Sequence, residues 1–502
     1  MKRFVFAIGG ISLLSLGFLS GCYSPVERLA PQSPDHPWVP DDSVDKGARA
    51  VNKFELPANL AAPYLQKHVP VDKKHIYNLA ELIDLAESAN PDTRLAWEQS
   101  KQAAYAVGLS KASYLPDISA VALGGQQYTP LPAPKLLFPN GKFTADTSEV
   151  LPSLVIKWLL FDFGKRDSTV KAALQLSLAS NIEFTGAHQK LIYEVSKAYF
   201  ALDAERAQLY VAKSALKNTK VLLDAAEARY KRGLETSTQV AIAKRETAKA
   251  RFELARAIAV DNDAYHALLE AMGLTPTLRI HVADSAHRVL PKRLVGDVNT
   301  HIKRALMKRP DIAAAFARVR ASEADISGAE ASYRPTVAFE GVAYQNIGSL
   351  SIDHGPTSRV NNPATAFLFK LNLPLFDGGA RRNTLRIARS KNAAAKEEFA
   401  KIQDSAIRQV ARAYDTVKSS LAEYDSALAL VNAANTAYDA ALDSYRQGLE
   451  TFTNTAIAET ERARAQSVLA QAHASVLTAA AALAFSTGEL ISIDALNNTT
   501  KQ

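Results

Sequence analysis

Cysteine is almost absent: Cys22 is the only one among 502 residues, which excludes an internal disulfide framework and any thiolate cluster of metal ligands. Aromatic residues make up only 8% of the chain, too few for an aromatic-rich sandwich. Neither sign of charge dominates, since 59 basic against 51 acidic residues leave +8, too mild an excess to mark a nucleic-acid partner. The ten histidines include no His-x-x-x-His pair, and there is no phosphate loop and no Gly-x-Ser-x-Gly turn. No catalytic constellation, metal site or cofactor is therefore expected, and the chain reads as a non-enzyme. Beyond the first twenty residues no apolar run reads as the 18 to 20 residues of a spanning helix. A membrane crossing would have to be made by strands.

What is present begins with a leader. Lys2 and Arg3 precede an uncharged apolar run from Phe4 to Leu19, a basic n-region followed by an h-region. Leu19-Ser20-Gly21-Cys22 resembles the lipobox of bacterial lipoproteins, which implies cleavage after residue 21 and acylation of Cys22. Tyr23 stands where an inner-membrane retention signal usually carries aspartate, so the outer membrane is the expected destination. More than one acyl chain anchors a protein firmly, at roughly 0.8 kcal/mol per buried methylene.

Proline then punctuates the chain. Eight of the 22 prolines lie between Pro25 and Pro70, an extended arm in a segment poor in helical periodicity. None lies between Pro152 and Pro276, and none follows Pro374. These stretches are rich in Ala, Leu, Gln, Lys and Glu, which favour long helices, with glycines near their starts and ends and, in between, Gly233 and Gly448 at matching places. A helix broken at one glycine and resumed is a helical hairpin. Leu191, Val195, Ala198, Leu202, Leu209, Ala212 and Leu216 are spaced as a coiled-coil seam. The helix from Lys165 to Lys231 is a rod of roughly 100 Å, beside which two shorter helices, Pro91 to Tyr114 and Thr236 to Met272, fit end to end.

The chain is also duplicated. Asn90-Pro91-Asp92 recurs as Arg309-Pro310-Asp311, and Tyr114-Leu115-Pro116 as Tyr333-Arg334-Pro335, both at an offset of 219. Phe161-Asp162-Phe163-Gly164 recurs as Phe376-Asp377-Gly378-Gly379, and Gly233-Leu234-Glu235-Thr236 as Gly448-Leu449-Glu450-Thr451, both at 215. The difference of four arises between Pro116 and Phe161, where each repeat looks extended. Leu154, Ile156, Trp158 and Leu160 alternate with Val155, Lys157 and Leu159, and Phe367, Phe369, Leu371 and Leu373 with Leu368, Lys370 and Asn372. A period of two fits a strand with one lipid-facing and one lumen-facing side, or a soluble hairpin on a core. Weaker extended runs, Ile118 to Tyr128 and Val337 to Tyr344, precede them. Four strands cannot close a barrel alone and open edges are not tolerated in lipid, so the membrane reading requires an oligomer.

Taken in order and in duplicate, the Leu-Phe-Asp-x-Gly strand ends, the Tyr-x-x-Gly-Leu turns and the repeat itself resemble the TolC family of outer-membrane efflux channels, the lipoprotein cysteine making its OprM-like branch the nearest. The resemblance implies an α+β membrane protein: a duplicated helix, strand, strand, long helical hairpin unit, with four transmembrane strands per chain. Three chains would form a homotrimer with one 12-strand barrel, continued by a periplasmic α-helical barrel. It also implies passive export of drugs or other small molecules, delivered by an inner-membrane pump of RND or ABC type and a periplasmic adaptor. The alternative is the exit of a type I protein secretion system, and a third reading is a structural coiled-coil lipoprotein. No nucleic acid is expected.

The resemblance places the adaptor-binding tip at Gly233, Leu234, Thr236, Gly448, Leu449 and Thr451. In the family a network at this tip closes the channel through a tyrosine, an arginine and an acidic ring. Tyr445 matches the tyrosine, but the arginine position is Glu450 and the aspartate positions are Gln239 and Asn454. A salt-bridged lock does not carry over, so neutral hydrogen bonds are expected to hold the gate. The expected organisation is a signal peptide (1–21), an acylated arm (22–75), a first repeat (76–275), an equatorial linker (276–296), a second repeat (297–490) and a tail (491–502).

Overall fold

The computed structural model describes residues 70–490, apart from 286, 287, 289, 291–293, 295 and 354. The leader, Cys22, nearly all of the arm and the tail lie outside the described residues. The elements are β1 (Ile76–Tyr77), α1 (Leu79–Ala89), α2 (Pro91–Ala112), β2 (Asp117–Pro132), β3 (Lys142–Phe161), α3 (Lys165–Lys231), α4 (Ser237–Ala271) and β4 (His281–Val282). There follow α5 (Val298–Lys308), α6 (Pro310–Ala331), β5 (Thr336–Ile352), β6 (Ser358–Asn372), α7 (Ala380–Arg446) and α8 (Phe452–Ser486). The duplication is complete in the helices: 11, 22, 67 and 35 residues in the first copy and the same four lengths in the second.

The repeated motifs are fold devices. Asn90 and Arg309, each just before the proline that opens α2 or α6, reach back to cap the end of the returning hairpin helix, through Asn90 Nδ2 to the Ala271 carbonyl (3.1 Å) and Arg309 Nη1 to the Ser486 carbonyl (3.1 Å). Those helix ends turn at Gly273 and Gly488, with φ +72° and +73°. Each closes with the paired bonds of a Schellman motif, Gly273 N to Glu270 O with Leu274 N to Leu269 O, and Gly488 N to Phe485 O with Glu489 N to Ala484 O. A Cβ on Gly273 would lie 2.9 Å from both Asn90 Cα and Pro91 Cδ. Gly273→Ala is therefore expected to destabilise the fold by roughly 1–3 kcal/mol from backbone strain, with the clash added, read as a lowered midpoint of thermal unfolding by circular dichroism.

At the other end of each short helix, strand meets long helix through an Asp-x-x-x-Arg corner. Asp162 accepts from Arg166 Nε (3.0 Å), while the Arg166 guanidinium donates to the carbonyls of Ser113, Leu159 and Leu160 and covers the Tyr114 ring at 4.7 Å. Asp377, Arg381, Pro374 and Tyr333 repeat the arrangement. Gly164 and Gly379 precede the long helices at φ +101° and +90°, conformations open to glycine.

The strands run beyond the extended segments read from sequence, because Pro130 and Pro132 and the run Asn361-Asn362-Pro363 look like turns but lie inside β2 and β6. They form one antiparallel sheet ordered β2-β3-β5-β6, with a bulge between Leu159 and Phe161. The four-residue difference between the copies falls at the hairpin tips, 133–141 against 353–357.

The main core gathers halfway along α3, where Leu191, Val195, Phe200 and Leu202 meet Leu82 of α1 and Leu268, Leu269 and Met272 at the end of α4. The short parallel pair β1 and β4 lies beside it, held by Tyr199 Oη donating to the Ala283 carbonyl (3.0 Å). The expected seam is deepest at Leu191, Val195 and Leu202, whereas Leu209, Ala212 and Leu216 are only half-buried. One expectation is corrected here: α8 is long and apolar enough by composition to cross a membrane. Its alanine-rich second half is instead packed in the bundle, Leu477 and Ala481 in the main core and Ala479 and Leu483 against Val417 of α7.

Candidate functional site

The two hairpin turns, 232–236 and 447–451, are built by the same four residues. Glycine takes φ +75° at Gly233 and +79° at Gly448. The following leucine N–H closes the Schellman bond, Leu234 to Arg229 O (3.0 Å) and Leu449 to Ser444 O (2.9 Å). Thr236 and Thr451 then cap α4 and α8 by accepting from Gln239 N and Asn454 N. Glycine and threonine are thus explained by backbone geometry alone. The leucines are not: Leu234 and Leu449 are 64% and 78% exposed, although a leucine at this position commonly folds back onto its own helix.

The four gate candidates do not form one cluster. Tyr445 is only 4% exposed and packs among Leu222, Ala226, Ala243, Phe452 and Ala456, with the Phe452 ring edge-on at 6.2 Å. Arg229 covers its ring at 5.3 Å and donates to Glu235 Oε2 at 3.2 Å. The Tyr445 hydroxyl is buried without a hydrogen-bond partner among the described residues. Burial pushes its pKa up, Glu235 adds to the rise and Arg229 opposes it. Glu450 lies at the open turn, accepting from Thr451 N (3.0 Å) and Asn454 Nδ2 (2.6 Å). Those two donors hold its carboxyl below the usual carboxylate range. Gln239 Oε1 accepts from Thr453 Oγ1 (3.5 Å), joining α4 to α8.

Gln239 makes a neutral hydrogen bond within one chain, whereas the Asn454 side chain bonds the Glu450 carboxylate, and beside them stands the Arg229–Glu235 ion pair. Arg229 escaped sequence reasoning because its second-copy counterpart at offset 215 is Ser444. Comparing the repeats for mismatches as well as matches would have exposed it. Tyr230, the counterpart of Tyr445, stays 49% exposed, so the two tips are chemically unlike.

A second polar cluster lies deeper. Glu459 of α8, 3% exposed, accepts from Asn218 Nδ2 of α3 (2.8 Å) and pairs with Arg462 (2.7 Å), whose guanidinium stacks 3.7 Å over Tyr438. Burial raises its pKa against these partners. A carboxyl whose folded pKa lies above its unfolded one contributes most at low pH and loses that contribution as pH rises through the folded value. The α3–α8 contact is therefore expected to weaken as pH rises above the ordinary glutamate range. Glu459→Gln, which keeps an acceptor for Asn218, should flatten that slope in thermal unfolding measured across the range.

With this geometry in hand the comparisons are specific. The chain matches the outer membrane efflux protein family model over residues 82–274 and 301–489, and it belongs to that family: a protein of the outer membrane with a TolC-like α+β fold. It is similar to the outer membrane protein OprJ of Pseudomonas aeruginosa, 27% identical over 71% of this chain and 72% of that one. It also resembles the probable outer membrane lipoprotein SilC of Salmonella typhimurium, 23% identical over 76% and 77%. The solved structure of the Campylobacter jejuni CmeC outer membrane channel superposes with a TM-score of 0.67 at 18% identity, covering 84% of this chain and 89% of that one, a likeness of fold.

Proposed function

We propose that three copies of this chain close a 12-strand barrel over a periplasmic helical barrel, forming the outer-membrane exit channel of a tripartite efflux system. The chain's internal seam carries this reading. Inside the chain β3 pairs with β5 and α3 packs on α6, where Ala179 meets Ala314 and Ala317 and a Cβ on Gly328 would lie 3.4 Å from Ser168. Among the described residues the duplicate surfaces have no partner. β2 and β6 are free edges. Leu95 and Leu109, the counterparts of Ala314 and Gly328, are 58% and 77% exposed, and Leu375 at the second corner is 87% exposed. Repeating the internal seam between copies covers all of them.

In this reading drugs or other small molecules pass through without chemistry, delivered by an inner-membrane pump of RND or ABC type. A periplasmic adaptor docks at the tips on Leu234 and Leu449, around Gly233, Thr236, Gly448 and Thr451. Tyr445, Gln239, Glu450 and Asn454 belong to the gate, and acylated Cys22 anchors the chain. Native mass spectrometry of the full chain should give a trimer, and the N-terminal peptide should begin at a lipid-modified Cys22. A monomer, or an unmodified Cys22, overturns the corresponding part. Gene deletion with a drug-susceptibility screen and a secretome comparison identifies the cargo class: restored drug sensitivity supports efflux, whereas loss of a secreted protein alone moves the reading to type I secretion. Asn454→Asp, which places a carboxylate against Glu450, should make single-channel conductance sensitive to block by a multivalent cation.

A further inference from the structure

The hairpin tip farthest from the helices carries the most exposed large apolar side chain among the described residues, Leu136 at 95%, with Leu137 at 72% beside it. The loop that presents them is built. Ala133 N donates to Gly141 O (3.0 Å), Leu137 N and Phe138 N both donate to Pro134 O (3.0 and 3.1 Å), and Gly141 N donates to Phe138 O (2.8 Å). Pro132, Pro134 and Pro139 stiffen it further. Ordered backbone beneath two bare leucines means that something outside the chain covers them.

The direction in which the loop leans identifies what that is. β2 and β3 pair without a slip from Asp117–Lys157 to Pro132–Lys142, so Phe143 and Leu131, paired with each other, share the face of Lys157 rather than that of Ile156. The Phe138 ring packs 5.2 Å from Phe143, which draws the loop over the Lys157 side. That side also holds Glu340, and Lys370 pairs with it at 3.5 Å; in the channel it is the lumen side. The hairpin also overtops its neighbour, since β5 ends at Ile352 opposite Ala145. Twelve strands about 4.8 Å apart and tilted about 40° enclose a radius of roughly 12 Å. An inward-leaning hairpin tip spans that distance.

We propose that loops 133–141 of three copies meet over the external mouth of the barrel, with Leu136 and Leu137 forming an apolar cap that cargo displaces as it leaves. The occupant of each leucine pair is the same loop of the other two copies. This rests on the trimeric-channel reading, and the test separates the two. In the full chain, Leu136→Cys should form disulfide-linked dimers under mild oxidation, while the parent, whose single cysteine is Cys22, forms none. In intact cells a lumen reporter, Lys157→Cys, should react with an impermeant PEG-linked maleimide several-fold faster when Leu136→Ser and Leu137→Ser are added. Labelling from outside does not depend on the periplasmic tip. A trimer that shows neither cross-linking nor faster labelling overturns the cap and leaves the channel reading standing. Quenching of a bimane at position 136 by brominated lipid also overturns it, placing the loop in the membrane. A monomer by native mass spectrometry overturns the channel reading itself.

Discussion

Arg166→Ala is expected to destabilise the protein by roughly 3–5 kcal/mol, the cost of removing one partner from a buried pair. Asp162 and Arg166 expose only 7% and 10% of their side chains, and without the guanidinium the Asp162 carboxylate is left uncompensated. The carbonyls of Ser113, Leu159 and Leu160 lose their donor as well. These carbonyls belong to the end of α2 and the end of β3, so the lesion falls where sheet and bundle are joined. The temperature at which the detergent-solubilised protein loses helicity should drop well beyond the shift given by an exposed-face control such as Lys171→Ala, whose pair with Asp167 is solvent-exposed. The second corner adds an internal comparison. Arg381 and Asp377 are more open in the single chain, at 16% and 29%. If the internal seam recurs between copies, Arg381→Ala in the intact assembly should cost nearly as much as Arg166→Ala, and clearly less once the copies are separated.

Much of this architecture was legible before any coordinate, and the reasons are local. Lys165 and Lys231 bound α3 as read, because Gly164 and Gly233 both need positive φ and no proline intervenes. The hairpin turns were legible because glycine, leucine and threonine each satisfy a backbone group within five residues. What stayed hidden depends on contacts distant in sequence. Tyr445 is buried by Arg229 and Leu222, more than two hundred residues earlier, and its own turn carries no sign of it. The role of Asn90 as a cap for α4 likewise needs Ala271 brought alongside. The upper halves of β3 and β6 were hidden for a different reason: above the apolar belt the side chains include Thr144, Asp146, Ser148, Asn361 and Asn362, which report only that both faces are wet.

That belt sets the last expectation, a one-residue reversal along β3. Register places Ile118, Ala120, Leu154, Ile156, Trp158, Phe339, Ala343, Phe367 and Phe369 on one face of the sheet. In the single chain none of these residues is fully buried, with Leu154 49% exposed and Phe369 75%, so no soluble core explains them. Along β3 the apolar face runs from Val150 to Trp158, and Leu154 lies at its centre. Leu154→Lys should therefore cost about 2–4 kcal/mol, the value for a lysine on the lipid face near the bilayer midplane. The cost should fall towards about 1 kcal/mol at Ile156 and Phe369, nearer the helical end, as depth decreases. Val155→Lys, the very next position, projects to the side of Lys157 and Lys370 and should change stability little. Refolding equilibria in lipid vesicles across this set measure the profile. Equal penalties at 154 and 155 would mean that the sheet packs both faces against protein, and a penalty confined to 155 would turn the barrel inside out.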